Sequence, residues 1–161
     1  MTGPLLSIEQ LGKGFCSGDQ RVSVLDELSL NLNRATSLAV VGRSGSGKST
    51  LLDLLCGLQQ PDSGSMILAG ESFRAGQDAA GTPARWAQLR RQSIGVVFQE
   101  TNLMPALSLL ENVRLRAHLA GCQYGDERQW LERLGIDAEA DRYPDQVSGG
   151  QAQRAALAMV F

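Results

Sequence analysis

The sequence predicts an α/β fold built on a parallel sheet, and three observations carry that reading. Residues 38–41 (LAVV) are continuously apolar, the pattern of a strand covered on both faces. A glycine-rich loop, residues 42–49, follows directly. Leu51, Leu54, Leu55 and Leu58 then recur at i, i+3, i+4 and i+7, one face of a helix.

Length and composition fit one soluble globular domain. The chain has 161 residues, 43% hydrophobic and 20% charged. These values exclude a disordered tail, a collagen-like repeat and a disulfide-stapled miniprotein. Fifteen basic against seventeen acidic residues give a net charge of −2, which makes no electrostatic case for nucleic acid or an anionic membrane surface. Cys16, Cys56 and Cys122 are odd in number and widely spaced, so they suggest reduced thiols in the cytosol rather than a disulfide framework or zinc site. The start, MTGPLLSIEQ, lacks a basic region and a long apolar run, so no signal peptide is expected. Nothing approaches 18 consecutive apolar residues, so a membrane role requires a partner chain.

In chain order, Leu28, Leu30 and Leu32 alternate with Ser29, Asn31 and Asn33, a half-buried strand for which Val22 and Val24 are the candidate hairpin mate. Gly57 and the turn Pro61-Asp62-Ser63-Gly64 end the first helix. Residues 66–69 form a short strand, and residues 70–82, polar and small, a surface loop. Thr82-Pro83 pairs an N-cap with proline at the first helical position, opening a helix through Trp86 and Leu89. Residues 94–98 (IGVVF) form a second buried strand, and residues 99–105 a loop. Ser108 with Glu111, and Asp126 with Gln129, have capping-box spacing. They open helices to about Ala120 and Leu134, so residues 108–146 are expected to be mostly helical. A last helix begins near Gln151, with Ala152, Ala155, Ala156, Met159 and Val160 on one face.

Two segments carry chemistry. Gly42-Arg43-Ser44-Gly45-Ser46-Gly47-Lys48-Ser49 fits G-x-x-x-x-G-K-[ST] at every position, between a strand pattern and a helix pattern. A triphosphate needs many convergent donors, and glycines let backbone N–H groups wrap it closely. The helix start adds free N–H groups and a positive dipole end. Lys48 would neutralise the β- and γ-phosphates, and the Ser49 hydroxyl would ligate Mg²⁺. Residues 42–49 and Thr50 beside them are thus the candidate nucleotide-binding set. Alone, this loop is shared by GTPases, small-molecule kinases and motor ATPases. The second segment is Val147-Ser148-Gly149-Gly150-Gln151 before the last helix, which on its own would equally suit an ordinary turn and cap.

Together the two segments resemble the ATP-binding cassette of ABC transporters, whose signature reads LSGGQ; Val147 replaces the leucine, and Gln153-Arg154 also fits. Gln99, ending 94–98, lies where that family has its Q-loop glutamine. Phe15 lies where it places an aromatic residue that stacks on adenine, although a core or turn role suits Phe15 equally. Residues 90–113 look most like cassettes of the lipoprotein-releasing and macrolide-export type.

The resemblance implies a RecA-like parallel sheet with an N-terminal antiparallel β subdomain (1–107 and 147–161) and a helical subdomain (108–146). It implies ATP and Mg²⁺, with Lys48 and Gln99 in catalytic roles, Ser49 and Gln99 at the metal, and Phe15, Ser148, Gly149, Gly150 and Gln151 among the nucleotide contacts. Two cassettes would dimerise head to tail, so Ser148, Gly149 and Gly150 would meet the partner's γ-phosphate. The helical subdomain would dock integral membrane permease subunits, holding the protein at the cytoplasmic face of the membrane.

The family continues past the signature helix with an apolar strand ending in Asp-Glu and then a switch histidine. Neither occurs in these 161 residues, and the one histidine, His118, precedes the signature. Met159 stands where the family usually has arginine. The expectation is therefore a cassette incomplete at its C-terminus, with 38–41 and 94–98 short of strand partners, marginally folded and unable to hydrolyse ATP alone. The alternatives are a nucleotide-binding remnant or regulator without turnover, and a soluble non-transport member of the superfamily. The latter usually carries two cassettes or a long insertion between the Q-loop and signature, and no such insertion is present here.

Overall fold

The computed structural model describes residues 3–18, 20–76, 82–122 and 125–161, in two compact units, 1–87 and 88–161.

The first unit is organised by a four-stranded antiparallel sheet. β1 (Leu6–Ser17), β2 (Gln20–Leu32), β3 (Ser63–Leu68) and β4 (Glu71–Arg74) lie in the order β2-β1-β3-β4. Leu6, Ile8 and Leu11 of β1, Met66 of β3 and Phe73 of β4 are buried. The long hairpin is irregular. Lys13 pairs with Leu25 but Gly14 with Ser23, so Val24 is an extra residue on β2, a β-bulge. Helix α1 (Lys48–Leu55) buries Leu51 and Leu54. Phe73 and Trp86 stack with centroids 4.1 Å apart, and the Arg85 guanidinium lies 4.9 Å from the Phe73 ring. The turn at Gly57 carries φ +64, and a Cβ there would fall on the Trp86 ring, so glycine is required on two grounds.

The second unit is helical. α2 (Thr82–Gln92) runs across the boundary between the units; α3 (Leu109–Ala120), α4 (Glu127–Arg133) and α5 (Gly149–Ala158) follow. Leu109, Leu110, Val113, Leu131, Ile136, Ala140, Ala152, Ala155 and Ala158 form one buried cluster. The small residues of α5 let it approach its neighbours closely, while Leu131 and Ile136 are completely enclosed. Asn112 is 1% exposed and takes its place in α3 because its amide is fully used. Its oxygen accepts from Met104 N (2.7 Å), and its nitrogen donates to the carbonyls of Met104, Leu107 and Ser108 at 3.2, 3.1 and 2.9 Å. The segment before α3 is thereby tied to the helix.

Several expectations from sequence are corrected. Val22 and Val24 belong to the same strand as Leu28, Leu30 and Leu32, and the hairpin mate is β1. The bulge breaks the alternation that would have joined them in one reading. The surface loop expected after residue 70 contains strand β4, while its residues 77–81 lie outside the described residues. The helix after it begins at Thr82, whose capping side chain also lies outside them. The capping box of Ser108 and Glu111 forms, with Glu111 Oε2 accepting from Ser108 N at 2.8 Å. That bond holds the Glu111 carboxyl below its ordinary value. The box at Asp126 does not form. Gln129 donates to the Asp126 side chain (3.2 Å), and the Glu127 carboxylate accepts from Gly125 N instead.

The two apolar runs do not form buried strands, in line with the expected shortage of strand partners. Residues 38–41 and 94–98 belong to no sheet among the described residues. Leu38 and Val41 are 54% and 87% exposed, and Val97 and Phe98 are exposed as well. An apolar run becomes a buried strand only where flanking strands satisfy its backbone and layers cover its faces. In this structure neither condition is met at these two segments.

Candidate functional site

The sequence-predicted residues fall in two groups, one in each unit. In the first unit, residues 42–47 form the loop ahead of α1, with Gly45 and Gly47 at φ +79 and +86. Gly47 is the N-cap, and it supplies no side chain to cap the helix. The first backbone bond of α1 is Leu51 N to Gly47 O at 2.9 Å. The amides of Lys48, Ser49 and Thr50 therefore precede the helical ladder and point out of the helix start. Ser46 N closes the loop onto Arg43 O at 3.2 Å.

Lys48 folds back over this loop. Its ammonium donates to the carbonyls of Gly42 (2.9 Å) and Arg43 (2.7 Å) and lies 3.4 Å from Ser46 Oγ. Three amides at a helix N-terminus and a primary ammonium, gathered within one turn, form a cationic nest suited to a polyphosphate. The Ser49 hydroxyl makes no hydrogen bond to another described residue, and a hard oxygen donor next to phosphate oxygens suits Mg²⁺.

The nest rests on the hairpin. A Cβ on Gly47 would lie 2.9 Å from Val24 Cγ1 and 3.0 Å from Val24 O, so the bulge residue sets how closely loop and sheet approach. Two residues along β2, Val22 stands opposite Phe15 on β1. Phe15 is 41% exposed, and the Lys13 ammonium lies 5.6 Å from its ring centroid. Asp62 faces this end of the hairpin. Hydrogen bonds, first from the Gly14 amide and next from Lys13, hold its carboxyl below the ordinary carboxylate value.

In the second unit, Gln99 follows residues 94–98 in an exposed bend. Ser148 is the N-cap of α5, and Gly149 and Gly150 are its exposed first residues. Ser148 Oγ accepts from Gln151 N at 3.3 Å, and Gln151 Oε1 accepts from Ser148 N at 2.8 Å. Both side chains are thus occupied by a capping box. The first ladder bond of α5 is Ala152 N to Ser148 O, which leaves the amides of Gly149 and Gly150 directed outward. Replacing Ser148 by alanine is expected to cost about 1 kcal/mol of stability. The check is a lowered urea midpoint at unchanged slope.

Two residues escaped the sequence reading. Asp62 was legible only as a turn residue, because its partners lie 41–49 positions away. Asn112 left a faint trace, a poor helix former well inside a helix, where a buried polar network is one of few justifications. His118 is exposed on α3, as expected. No helix among the described residues is long and apolar enough to cross a membrane.

Comparison with known proteins places this geometry. Residues 25–161 match the family model described as ABC transporter. The chain is 40% identical to the macrolide export ATP-binding/permease protein MacB of Burkholderia pseudomallei, covering 98% of this chain and 24% of that protein. It is 37% identical to the lipoprotein-releasing system ATP-binding protein LolD of Shewanella sp. (strain MR-4), covering 98% and 68%. The chain thus spans about a quarter of the former relative and about two thirds of the latter. Among solved structures, the ATP-binding cassette MJ0796 in a dimeric, post-hydrolysis state bound to ADP and Pi superposes with a TM-score of 0.83 at 30% identity, covering 97% of this chain and 68% of that one. The cassette fold class expected from sequence is borne out by that likeness.

Proposed function

The chain belongs to the ABC transporter family, and from that premise we propose that it is an ATP-binding subunit coupling nucleotide binding and hydrolysis to transport by partner membrane subunits. The observation that carries this reading is the nest at the start of α1, with three outward amides and the Lys48 ammonium within one helical turn. On binding, Lys48 exchanges its two carbonyl acceptors for phosphate oxygens, which are better partners because they are charged. Phe15 receives the base. Mg²⁺ bound with the nucleotide would be held through Ser49 and would supply charge neutralisation.

A second cassette docks head to tail. Because the Ser148 and Gln151 side chains are each engaged with the other residue's backbone amide, the amides of Gly149 and Gly150 and the dipole of α5 are what this segment offers a phosphate on the partner chain. Permease subunits dock on the helical segment 108–146 and hold the protein at the cytoplasmic face of the membrane.

Calorimetric titration with MgATP tests the first part. Lys48→Ala is expected to weaken binding about 10- to 100-fold, the worth of a charge-assisted contact. Equal affinity in the two proteins would remove the nest from the reading.

A further inference from the structure

We propose that Asp62 is the positioning residue of the base-binding end of the nucleotide site, holding Phe15 as a platform by gripping the hairpin on both sides of it. This inference rests on the reading of the nest as a nucleotide site.

The carboxylate of Asp62 accepts from three donors: Lys13 Nζ at 3.0 Å, Gly14 N at 2.9 Å and Arg21 Nη2 at 2.8 Å. Lys13 and Gly14 immediately precede Phe15. Arg21 pairs with Cys16 on the opposing strand, beside the Phe15–Val22 pair. The Asp62 amide in turn donates to Gly12 O at 2.9 Å. One residue thus fixes Phe15 from its own strand and from the strand across.

The topology explains why a carboxylate is placed there. β1 pairs with β3 only as far as Gly12 with Ser63, the first residue of β3. Beyond that point no described strand lies beside β1 on that side to pair with its amides. Asp62, one residue before β3, supplies an acceptor where the sheet stops. The bulge at Val24 lies at the same level, so the hairpin is otherwise poorly held there.

Exposed ion pairs contribute little to stability as a rule. Here a backbone amide is one of the three donors and the Lys13 side chain is only 16% exposed, so the cluster fixes geometry as well as charge. Lys13 is drawn to Asp62 while its ammonium stays near the Phe15 ring, so one cation links carboxylate and platform. β2 carries the link onward. Val22 opposes Phe15, and Val24, about 7 Å along the strand, touches Gly47 of the phosphate nest. A nucleotide with its phosphates on the nest would therefore find its base end at the hairpin.

The test compares MgATP with inorganic tripolyphosphate in calorimetric titrations of the full chain. The triphosphate alone reports the nest, and the difference between the two ligands reports the base. Wild type is expected to bind ATP about 5-fold or more tighter than tripolyphosphate, the scale of one aromatic–base stack. Asp62→Asn and Asp62→Ala are expected to lose most of that advantage while tripolyphosphate affinity stays within about 2-fold. Phe15→Ala should do the same alone and cost nothing further when combined with Asp62→Ala.

Loss of both ligands together in the Asp62 variants, or of neither, overturns the proposal in favour of a purely structural role or none. A wild type that binds both ligands equally overturns it by removing the platform. A wild type that binds neither overturns the nucleotide reading itself, and this inference with it.

Discussion

Asn112→Asp is expected to destabilise the helical unit by roughly 3 kcal/mol or more, a large share of the ~5–15 kcal/mol that holds a typical domain. The nitrogen of Asn112 donates to three carbonyl oxygens, and an aspartate at that place offers only acceptors. Four oxygens would then face one another in a site 1% exposed. Asn112→Leu removes the clash but takes the side-chain partner from the Met104 amide and the Leu107 carbonyl, while the Ser108 and Met104 carbonyls keep the Asn112 and Leu107 amides, so it should fall between wild type and aspartate. Urea denaturation followed by circular dichroism orders the three proteins. Because the aspartate escapes its penalty by taking up a proton, its deficit should shrink as pH falls below about 5. A deficit independent of pH would mean that the side chain has moved out to solvent.

Gly47→Val is expected to abolish nucleotide binding and to destabilise the first unit by about 2–4 kcal/mol, from left-handed strain and overpacking combined. The backbone at Gly47 sits at φ +86, and the new side chain would meet Val24 on two atoms at 2.9 and 3.0 Å. The helix start must then turn away from the hairpin, and the amides of Lys48, Ser49 and Thr50 no longer converge. Tripolyphosphate titration and a thermal melt measure the two effects separately. Normal tripolyphosphate affinity in Gly47→Val would show that the bulge does not set the geometry of the nest.

The features that could be read from the sequence are those whose partners lie close along the chain. Residues 42–49 encode their own geometry, since glycine, lysine and serine at fixed spacing make a nest through local bonds. The box at Ser108–Glu111 closes over three residues and forms as expected, and one of the same spacing forms at Ser148–Gln151, where the sequence alone suits an ordinary turn and cap. The box at Asp126 shows the limit of that rule: the Gln129 side chain donates to the Asp126 carboxylate rather than accepting from the Asp126 amide, and spacing does not choose between these. Strand pairing was less legible. Val24 reads as part of an alternating strand, whereas its actual role comes from being the residue the ladder leaves out. Asp62 joins residues 41 and 49 positions away, and only the folded sheet brings them within reach. The apolar runs at 38–41 and 94–98 carry a strand pattern, but whether they pair depends on neighbouring strands, which the family resemblance already implies are in short supply here.

Those two runs also bear on how copies of the molecule meet. Residues 38–41 and 94–98 combine β-branched or aromatic side chains, no internal charge and backbone groups outside the sheet of the described residues. Such segments are templates for strand addition from another molecule, with Val41 and Val97 already at the surface. Arg43 and Lys48 beside the first run, and Arg90 and Arg91 ahead of the second, are the cations that work against that association. Neutralising charge near these segments, by salt or by a bound polyanion, therefore favours self-association as well as any docking, so the colloidal behaviour of the polypeptide is coupled to the ionic conditions in which its ligand is offered.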